Sequence, residues 1–241
     1  MTRVRSILLE VVATGPGDCP GAEVGGADRL EIVSGMESDG LTPLPSTVRA
    51  VLETTQLPIR VMLRTRDDFA ARAGEVDRLG DLVDEFAALG AHGFVFGFLR
   101  ADGQVDLDAV AGLAQRVVLA GRVWTFHRAI DHAVDRDRAF GELQTLPGLT
   151  AVLTAGSSTG VRDGGADLLR RAGSAWGSRL LVGGGLLPEH VAGLARAGVR
   201  AFHIGSGART TRRWSEPVAA EEVAKWRLLL DQQVAQTDSA S

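Results

Sequence analysis

Short apolar segments alternate with longer amphipathic segments along almost the whole chain, and this alternation constrains the fold more than any other feature. Eight apolar segments predict strands near 7–13, 28–33, 59–64, 93–98, 122–127, 150–154, 179–183 and 200–205. Helical periodicity between them predicts helices near 46–55, 75–89, 106–119, 136–146, 163–175 and 188–197, with a last helix near 217–233. Strands and helices that alternate at this spacing predict parallel βαβ units.

Two architectures fit this alternation, an open Rossmann-type sheet and a closed barrel. The open sheet predicts a G-x-G-x-x-G turn after the first strand, whereas residues 14–19 read TGPGDC, which lacks the third glycine and contains a rigid proline. The sequence therefore favours an α/β fold with a single (β/α)8 TIM-type barrel. No proline- or serine-rich linker divides the chain, so we expect one domain over 1–235 and a disordered tail at 236–241.

Composition excludes several classes of function. Lys and Arg total 26 against 30 Asp and Glu, and the basic residues form no long run, which argues against a nucleic-acid partner. No apolar run approaches the roughly 18 residues of a membrane span. The first residues resemble a strand more than a targeting peptide, so we expect a cytoplasmic protein. A single cysteine, Cys19, excludes an internal disulfide framework and a cysteine-cluster metal site.

Ionisable residues lie in or just beyond several of the apolar strands. In a barrel, chemistry is located at the mouth formed by the C-terminal strand ends, so these residues are the candidates for a site. We expect proton transfer from Glu10, Glu31, His127 and His203. We expect contacts to a ligand's anionic groups from Arg64, Arg66, Arg128 and Asp131.

Two alternatives remain open for the same residues. Glu10, Glu31, Arg64 and Arg128 could instead form a structural ion network, since buried charges need partners. A divalent metal on Glu10, Glu31, His127 or His203 is chemically feasible, although no metal-binding motif supports it. No lysine lies at a strand end, which disfavours a Schiff-base aldolase.

Two glycine clusters follow the last two predicted strands, at 183–185 and 205–207. In barrels these two loops often present backbone N–H groups to a phosphate, and glycine permits the close approach that an anion needs. We therefore expect phosphate or another anion at Gly184, Gly185, Ser206 and Gly207, with Arg209 adding positive charge. The alternative is that these glycines only form tight turns.

The chain resembles the CutC family, which is named for copper homeostasis. The matching motifs include LLEV at 8–11, GADRLEI at 26–32, GLTP at 40–43, VMLRTR at 61–66, GFVFG at 93–97, TFHRAID at 125–131, GGG at 183–185 and AFH at 201–203. They run in order over about 200 residues of the sequence. The resemblance implies a TIM-type barrel, a cytoplasmic location, a homo-oligomer and copper as a possible cofactor.

Departures from the family pattern bear on function. CutC proteins to which copper binding is attributed typically carry cysteines where this chain has Val12 and Val33. Copper(I) prefers sulfur ligands, so the missing thiols argue against a copper-binding role. The alternative hypothesis is a barrel enzyme or binding protein for a small anionic metabolite, with acid–base chemistry such as isomerisation, epimerisation or lyase cleavage. The residues favour this second hypothesis, although they do not fix the reaction.

Overall fold

All eight predicted strands form and pair in chain order. The structure is a computed structural model that describes residues 7–238. Its strands are β1 (Leu8–Ala13), β2 (Arg29–Ile32), β3 (Ile59–Met62), β4 (Gly93–Phe96), β5 (Val123–Phe126), β6 (Leu149–Thr154), β7 (Leu180–Val182) and β8 (Ala201–Ile204). Every neighbouring pair is parallel, and β8 pairs with β1. The sheet is a closed barrel, which confirms the predicted fold.

Eight α-helices accompany the strands within residues 7–238. They are α1 (Cys19–Gly25), α2 (Pro45–Thr54), α3 (Glu75–Leu89), α4 (Leu107–Leu119), α5 (Arg136–Leu143), α6 (Val161–Ala172), α7 (Pro188–Arg196) and α8 (Ala220–Asp238). Helix α1 was not predicted, because seven residues that include a proline and two glycines show no helical periodicity. Among the described residues, no helix combines the length and apolar character needed to cross a membrane.

The last helix begins and ends later than predicted. Helix α8 reaches Asp238, three residues into the segment 236–241 that was expected to be disordered. Residues 239–241 lie outside the described residues, so disorder in the tail stays a prediction.

Strand alternation divides the apolar side chains between two regions. The larger core lies between the outer face of the barrel and the helices. Two smaller clusters lie inside the barrel, one around Ala151 and Leu181 with Leu8 packed against it, and one that contains Val12 and Val33. Because Leu8 and Val12 flank Glu10 on the same face of β1, a polar layer lies between the two clusters.

Candidate functional site

Glu10, Glu31 and His203 meet inside the barrel, below its C-terminal mouth. Parallel register places Glu10 of β1 opposite His203 of β8. Glu10 Oε1 lies 2.9 Å from His203 Nδ1, and Glu31 Oε2 lies 3.5 Å from His203 Nε2. The imidazole thus bridges two buried carboxylates. The structure brings together three of the four residues that the sequence suggested for proton transfer.

Two arginines that the sequence analysis did not single out complete this layer. Arg29 Nε lies 2.5 Å from Glu10 Oε2, and buried Arg60 donates a hydrogen bond to Thr125. Burial alone would raise the pKa of Glu10, but the charge of Arg29 and the hydrogen bond with His203 hold it well below its usual range. Glu10 is therefore a carboxylate at neutral pH. The alternative ion network had offered Arg64 and Arg128 as partners for the carboxylates, whereas in the structure Arg29 pairs with Glu10.

Glu31 and His203 have pKa values displaced in a way that suits proton transfer. Burial raises the pKa of Glu31 to about 7, against the opposing attraction of His203. Burial would lower the pKa of His203, but the hydrogen bond with Glu10 and the charge of Glu31 raise it above its ordinary value. Glu31 Oε1 is buried and has no hydrogen-bond partner within the described part of the chain. A carboxyl group that titrates near neutrality, beside an imidazole whose pKa is raised, is a candidate proton carrier.

A cavity of about 310 Å³ opens at the mouth, above this layer. One wall is apolar and contains Val12, Val33, Met62 and the half-buried Trp214. The polar lining includes Glu31, His127, Arg128, His132, His203 and Ser206. An apolar pocket with a few convergent polar groups is the usual form of a small-molecule site.

His127 lies in this cavity as a neutral imidazole. Its Nδ1 accepts a hydrogen bond from the Ala129 N–H at 3.2 Å, which places the ring proton on Nε2. Burial and the nearby charge of Arg64 lower the pKa of His127 to about 3. Nε2 is buried and meets no partner among the residues described. The ring packs edge-on against Phe69, with centroids 5.4 Å apart, so His127 offers one fixed donor.

The two glycine loops converge on a second, smaller cavity of about 70 Å³. Gly184 and Gly185, at φ +90° and +76°, occupy the left-handed region that glycine tolerates best. Within residues 7–238, the N–H groups of Gly184, Gly185, Ser206 and Gly207 donate no hydrogen bonds. Both cavities share Gly184, Gly185, His203, Gly205 and Ser206 in their linings. The loops therefore hold free backbone donors beside the titratable layer.

The Arg128 side chain lines the cavity at the mouth, and an ion pair with Asp131 fixes its position. Arg128 Nε lies 3.0 Å from Asp131 Oδ2, and a Cβ on Gly184 would lie 2.7 Å from that same nitrogen. Asp131 also accepts hydrogen bonds from Thr154 and from the Ala155 N–H, and it lines neither cavity. The expectation that Asp131 contacts a ligand is corrected, because its carboxylate is occupied by these three donors.

Arg64 and Arg66 were expected to contact a ligand's anionic groups, and the structure gives both side chains other partners. The Arg64 guanidinium donates to the backbone carbonyls of Ser38 and Asp67, at 2.8 and 2.6 Å, and it also packs over Phe69. Arg64 therefore lines the cavity, but its N–H groups are used in hydrogen bonds to the backbone of the neighbouring loops. Arg66 is half-exposed, lies 3.5 Å from Asp68, and does not line the cavity. Strand β3 ends at Met62, so strand alternation does not predict where Arg66 points.

The expectation that Arg209 adds positive charge to the anion site is also corrected. Arg209 is 1% exposed and donates to Asp18 Oδ2 at 3.0 Å and to two backbone carbonyls, so it lines neither cavity. Its guanidinium lies 4.5 Å from the ring centroid of Trp214 and positions that ring at the mouth. Arg212, three residues later, lines the small cavity instead. Neither Trp214 nor Arg212 was predicted as a site residue, because both lie in an irregular loop without a strand or helix period.

Comparisons with known proteins agree with this architecture. A sequence profile described as the CutC family matches residues 7–208. The chain belongs to the CutC family. A CutC family protein from Xanthomonas campestris pv. campestris (strain 8004) is 37% identical over 218 residues, covering 88% of this chain and 85% of the relative. A human relative named copper homeostasis protein cutC homolog is 32% identical over 209 residues, covering 85% and 74%.

A search of solved structures also finds a CutC protein. The crystal structure of a CutC protein from Streptococcus agalactiae superposes with a TM-score of 0.73 at 22% identity, covering 83% of this chain and 98% of that one. At that identity the likeness supports the barrel fold and carries no further conclusion about the site.

The cavity of this CutC-family chain does not fit copper(I) well. Val12 and Val33, at the positions of the family cysteines, pack together in the apolar wall. Cys19 is fully buried, and burial with the charge of Asp18 raises the pKa of its thiol to about 11. The sulfur atoms lining the cavity belong to Met36 and Met62, which are neutral thioethers. Copper(I) sites favour thiolates, and none is available among the described cavity residues.

The layer below the cavity is a poor site for a divalent cation. Oxygen and nitrogen atoms of Glu10, Glu31 and His203 lie within 4.8 Å of one another, close enough to hold an ion. Glu10 is already paired with Arg29, however, and the positive charge of Arg60 reaches both carboxylates. A metal ion would add charge to a layer that arginines already neutralise.

Proposed function

We propose that this CutC-family barrel is an enzyme that binds a small anionic metabolite and moves a proton on it. The anionic group binds at the glycine loops, and the reacting part lies over Glu31 and His203. The observation that carries this proposal is the shared lining of the two cavities, which puts free N–H donors beside a carboxyl group with a pKa near 7.

Each polar group has a distinct role in this proposal. Glu31 accepts a proton from the ligand or returns one, since its pKa lies near the working pH. His127 donates its Nε2–H to a carbonyl or hydroxyl oxygen, where negative charge develops during proton abstraction. The positive charge of a protonated His203 stabilises the ionised form of Glu31. The hydrogen bond with Glu10 fixes the orientation of the His203 ring. This arrangement suits isomerisation, epimerisation or lyase cleavage.

The experiment is proton exchange in D₂O, followed by NMR. Dihydroxyacetone phosphate serves as the phosphorylated carbonyl probe, and pyruvate serves as a carbonyl probe without phosphate. We expect the protein to catalyse deuterium incorporation into the phosphorylated probe, and Glu31→Gln to reduce the rate by a factor of at least 100, within the range attributed to a general base.

Glu53→Gln is the matched control, because Glu53 is exposed on α2, away from the cavities. It should exchange at the wild-type rate. Exchange that continues unchanged in the Glu31→Gln protein would contradict the assigned base, and the absence of exchange with any carbonyl probe would contradict an enzyme of this class.

Copper homeostasis is the second candidate, because the human relative carries that name. In this chain it would rely on Met36 and Met62 together with histidines of the same cavity. Because valines replace the two family cysteines and supply no thiolate, the acid–base function is the better supported of the two. A cytoplasmic location and a homo-oligomeric state, both implied by the family resemblance, stay predictions under either function.

A further inference from the structure

Arg212 is a cation beside the free donors of the glycine loops. It lies in the loop after β8, it is exposed, and it lines the cavity of about 70 Å³ together with Gly184, Gly185, Ser206 and Gly207. Its side chain makes no hydrogen bond or ion pair with the part of the chain that is described. Arg209, by contrast, is buried and fully engaged by Asp18 and two carbonyls.

The backbone of Arg212 supports a role beyond chain connection. Its φ angle of +61° lies in the left-handed region, and Asp39 is the other non-glycine residue among those described that has a positive φ. Such conformations are strained for a residue with a Cβ, and they persist where the surroundings require them. Here the turn closes with the Arg212 N–H donating to the Arg209 carbonyl at 3.1 Å, next to the small cavity.

The charges around this cavity favour an anion. Arg212 lines it, and His203, whose pKa is raised, lines it as well. Arg128 packs against Gly184 at the boundary with the larger cavity. No acidic side chain belongs to the lining, as far as the structure describes it. A volume of about 70 Å³ holds one small group, and the rest of a ligand must extend into the larger cavity.

We propose that Arg212 binds the second charge of a phosphate monoester held by the glycine-loop N–H groups, so that the metabolite is a phosphomonoester. A guanidinium matches two phosphate oxygens in one plane, and backbone N–H groups match the others. A carboxylate or a phosphodiester has two free oxygens, against three in a phosphate monoester, and would satisfy fewer of these donors. This inference rests on the anion pocket of the proposed function and adds the ligand class and a residue that recognises it.

The test is a set of binding titrations with the full chain. Glycerol 3-phosphate is the monoester probe, dimethyl phosphate is the diester probe, and acetate is the carboxylate probe, with ¹⁵N amide shifts and calorimetry as readouts. We expect glycerol 3-phosphate to shift the amides of Gly184, Gly185, Ser206 and Gly207 and to bind at least tenfold more tightly than dimethyl phosphate. Arg212→Gln should weaken monoester binding by about 10- to 100-fold, the range expected for a lost charge-assisted contact.

Arg213→Gln is the matched control, because Arg213 is also exposed, is adjacent in sequence, and is absent from both cavity linings. Arg212→Lys should recover part of the affinity, and thermal unfolding checks that each variant folds. Equal monoester affinity in the wild-type and Arg212→Gln proteins overturns the assignment of Arg212 and leaves the anion pocket intact. Equal binding of monoester and diester overturns the ligand class. If the wild-type protein binds none of the three probes, the proposed function fails as well.

Discussion

The Glu10 carboxylate and the His203 imidazole form a buried hydrogen bond, 2.9 Å from Oε1 to Nδ1, that joins the first and last strands of the barrel. Glu10→Gln should lower the pKa of His203, because this bond and the nearby carboxylate charges raise it. It should also destabilise the fold by about 3 to 5 kcal/mol, since Arg29 loses its buried counter-charge. An NMR titration of the histidine rings and chemical denaturation measure the two effects.

The control for this prediction is an exposed ion pair. Arg138 Nε lies 2.7 Å from Glu142 Oε1 on α5, and the Arg138 side chain is 55% exposed. Glu142→Gln should cost far less stability than Glu10→Gln, because solvent screens such pairs. An unchanged pKa of His203 in the Glu10→Gln protein would contradict the role given to Glu10.

Glu31→Gln should stabilise the protein at alkaline pH. The pKa of Glu31 rises from an ordinary 4.5 to about 7 on folding, so the folded state binds a proton more tightly than the unfolded state. This contribution to stability is fully present below pH 4.5 and is lost as the pH rises through 7. The difference in unfolding free energy between the variant and the wild-type protein should therefore grow over that window. Denaturation curves at several pH values test it, and a difference that shrinks with pH would refute the assignment.

Strand periodicity predicted the barrel and the inner layer, because both depend on simple alternation. Glu10, Glu31 and His203 lie within regular strands, where side chains point to opposite faces in turn, and the structure places all three inside. The same rule places Arg29 on the face of Glu31, and Arg60 on the face of Met62. These two arginines could have been found by extending the alternation toward the strand starts.

Residues beyond the strand ends could not be placed in this way. Arg66, Arg209 and Arg212 lie in loops, where the direction of a side chain depends on contacts distant in sequence. Arg209 is turned inward by Asp18, which is 191 residues away in the chain. Arg212, by contrast, lines the small cavity. The glycine loops at the mouth were therefore predictable from the sequence, whereas the exposed arginine that lines the same small cavity was not.

Ser206→Asp should abolish anion binding with little loss of stability. Ser206 lines both cavities, and a carboxylate there would repel an anion near the glycine N–H groups. Gly184 is a poorer position for this test, because its φ is +90° and a Cβ would lie 2.7 Å from Arg128 Nε. Ser206→Asn has a similar size without the charge and serves as the control. Calorimetry with glycerol 3-phosphate should show a far greater loss for Asp than for Asn; equal losses would point to a steric effect.

Copper(I) binding should be weak in this chain and should increase when the family cysteines are restored. Val12 and Val33 pack together at the mouth beside Met62, so two thiols introduced there would lie close to a thioether. Competition with a copper(I) chelator under anaerobic conditions should show little retention by the wild-type or Cys19→Ser proteins. The Val12→Cys, Val33→Cys double variant should retain about one equivalent, as expected for thiolate ligands. Strong retention that disappears with Cys19→Ser would show that the buried thiol is accessible after all.

Two adjacent glycines in α6 should respond in opposite directions to alanine. A Cβ on Gly164 would collide with the carbonyl oxygen of Ala155, where α6 lies directly against the end of β6, whereas a Cβ on Gly165 meets nothing within 4 Å. Gly164→Ala should therefore cost about 1 to 3 kcal/mol through overpacking, and Gly165→Ala should gain up to about 1 kcal/mol from helix propensity. The Ala155 N–H donates to Asp131 at 2.9 Å, and Asp131 holds Arg128, so a displaced β6 end should also weaken anion binding. Thermal unfolding and titration with glycerol 3-phosphate measure both effects, and a Gly164→Ala protein with wild-type stability would show that α6 does not pack so closely on the barrel.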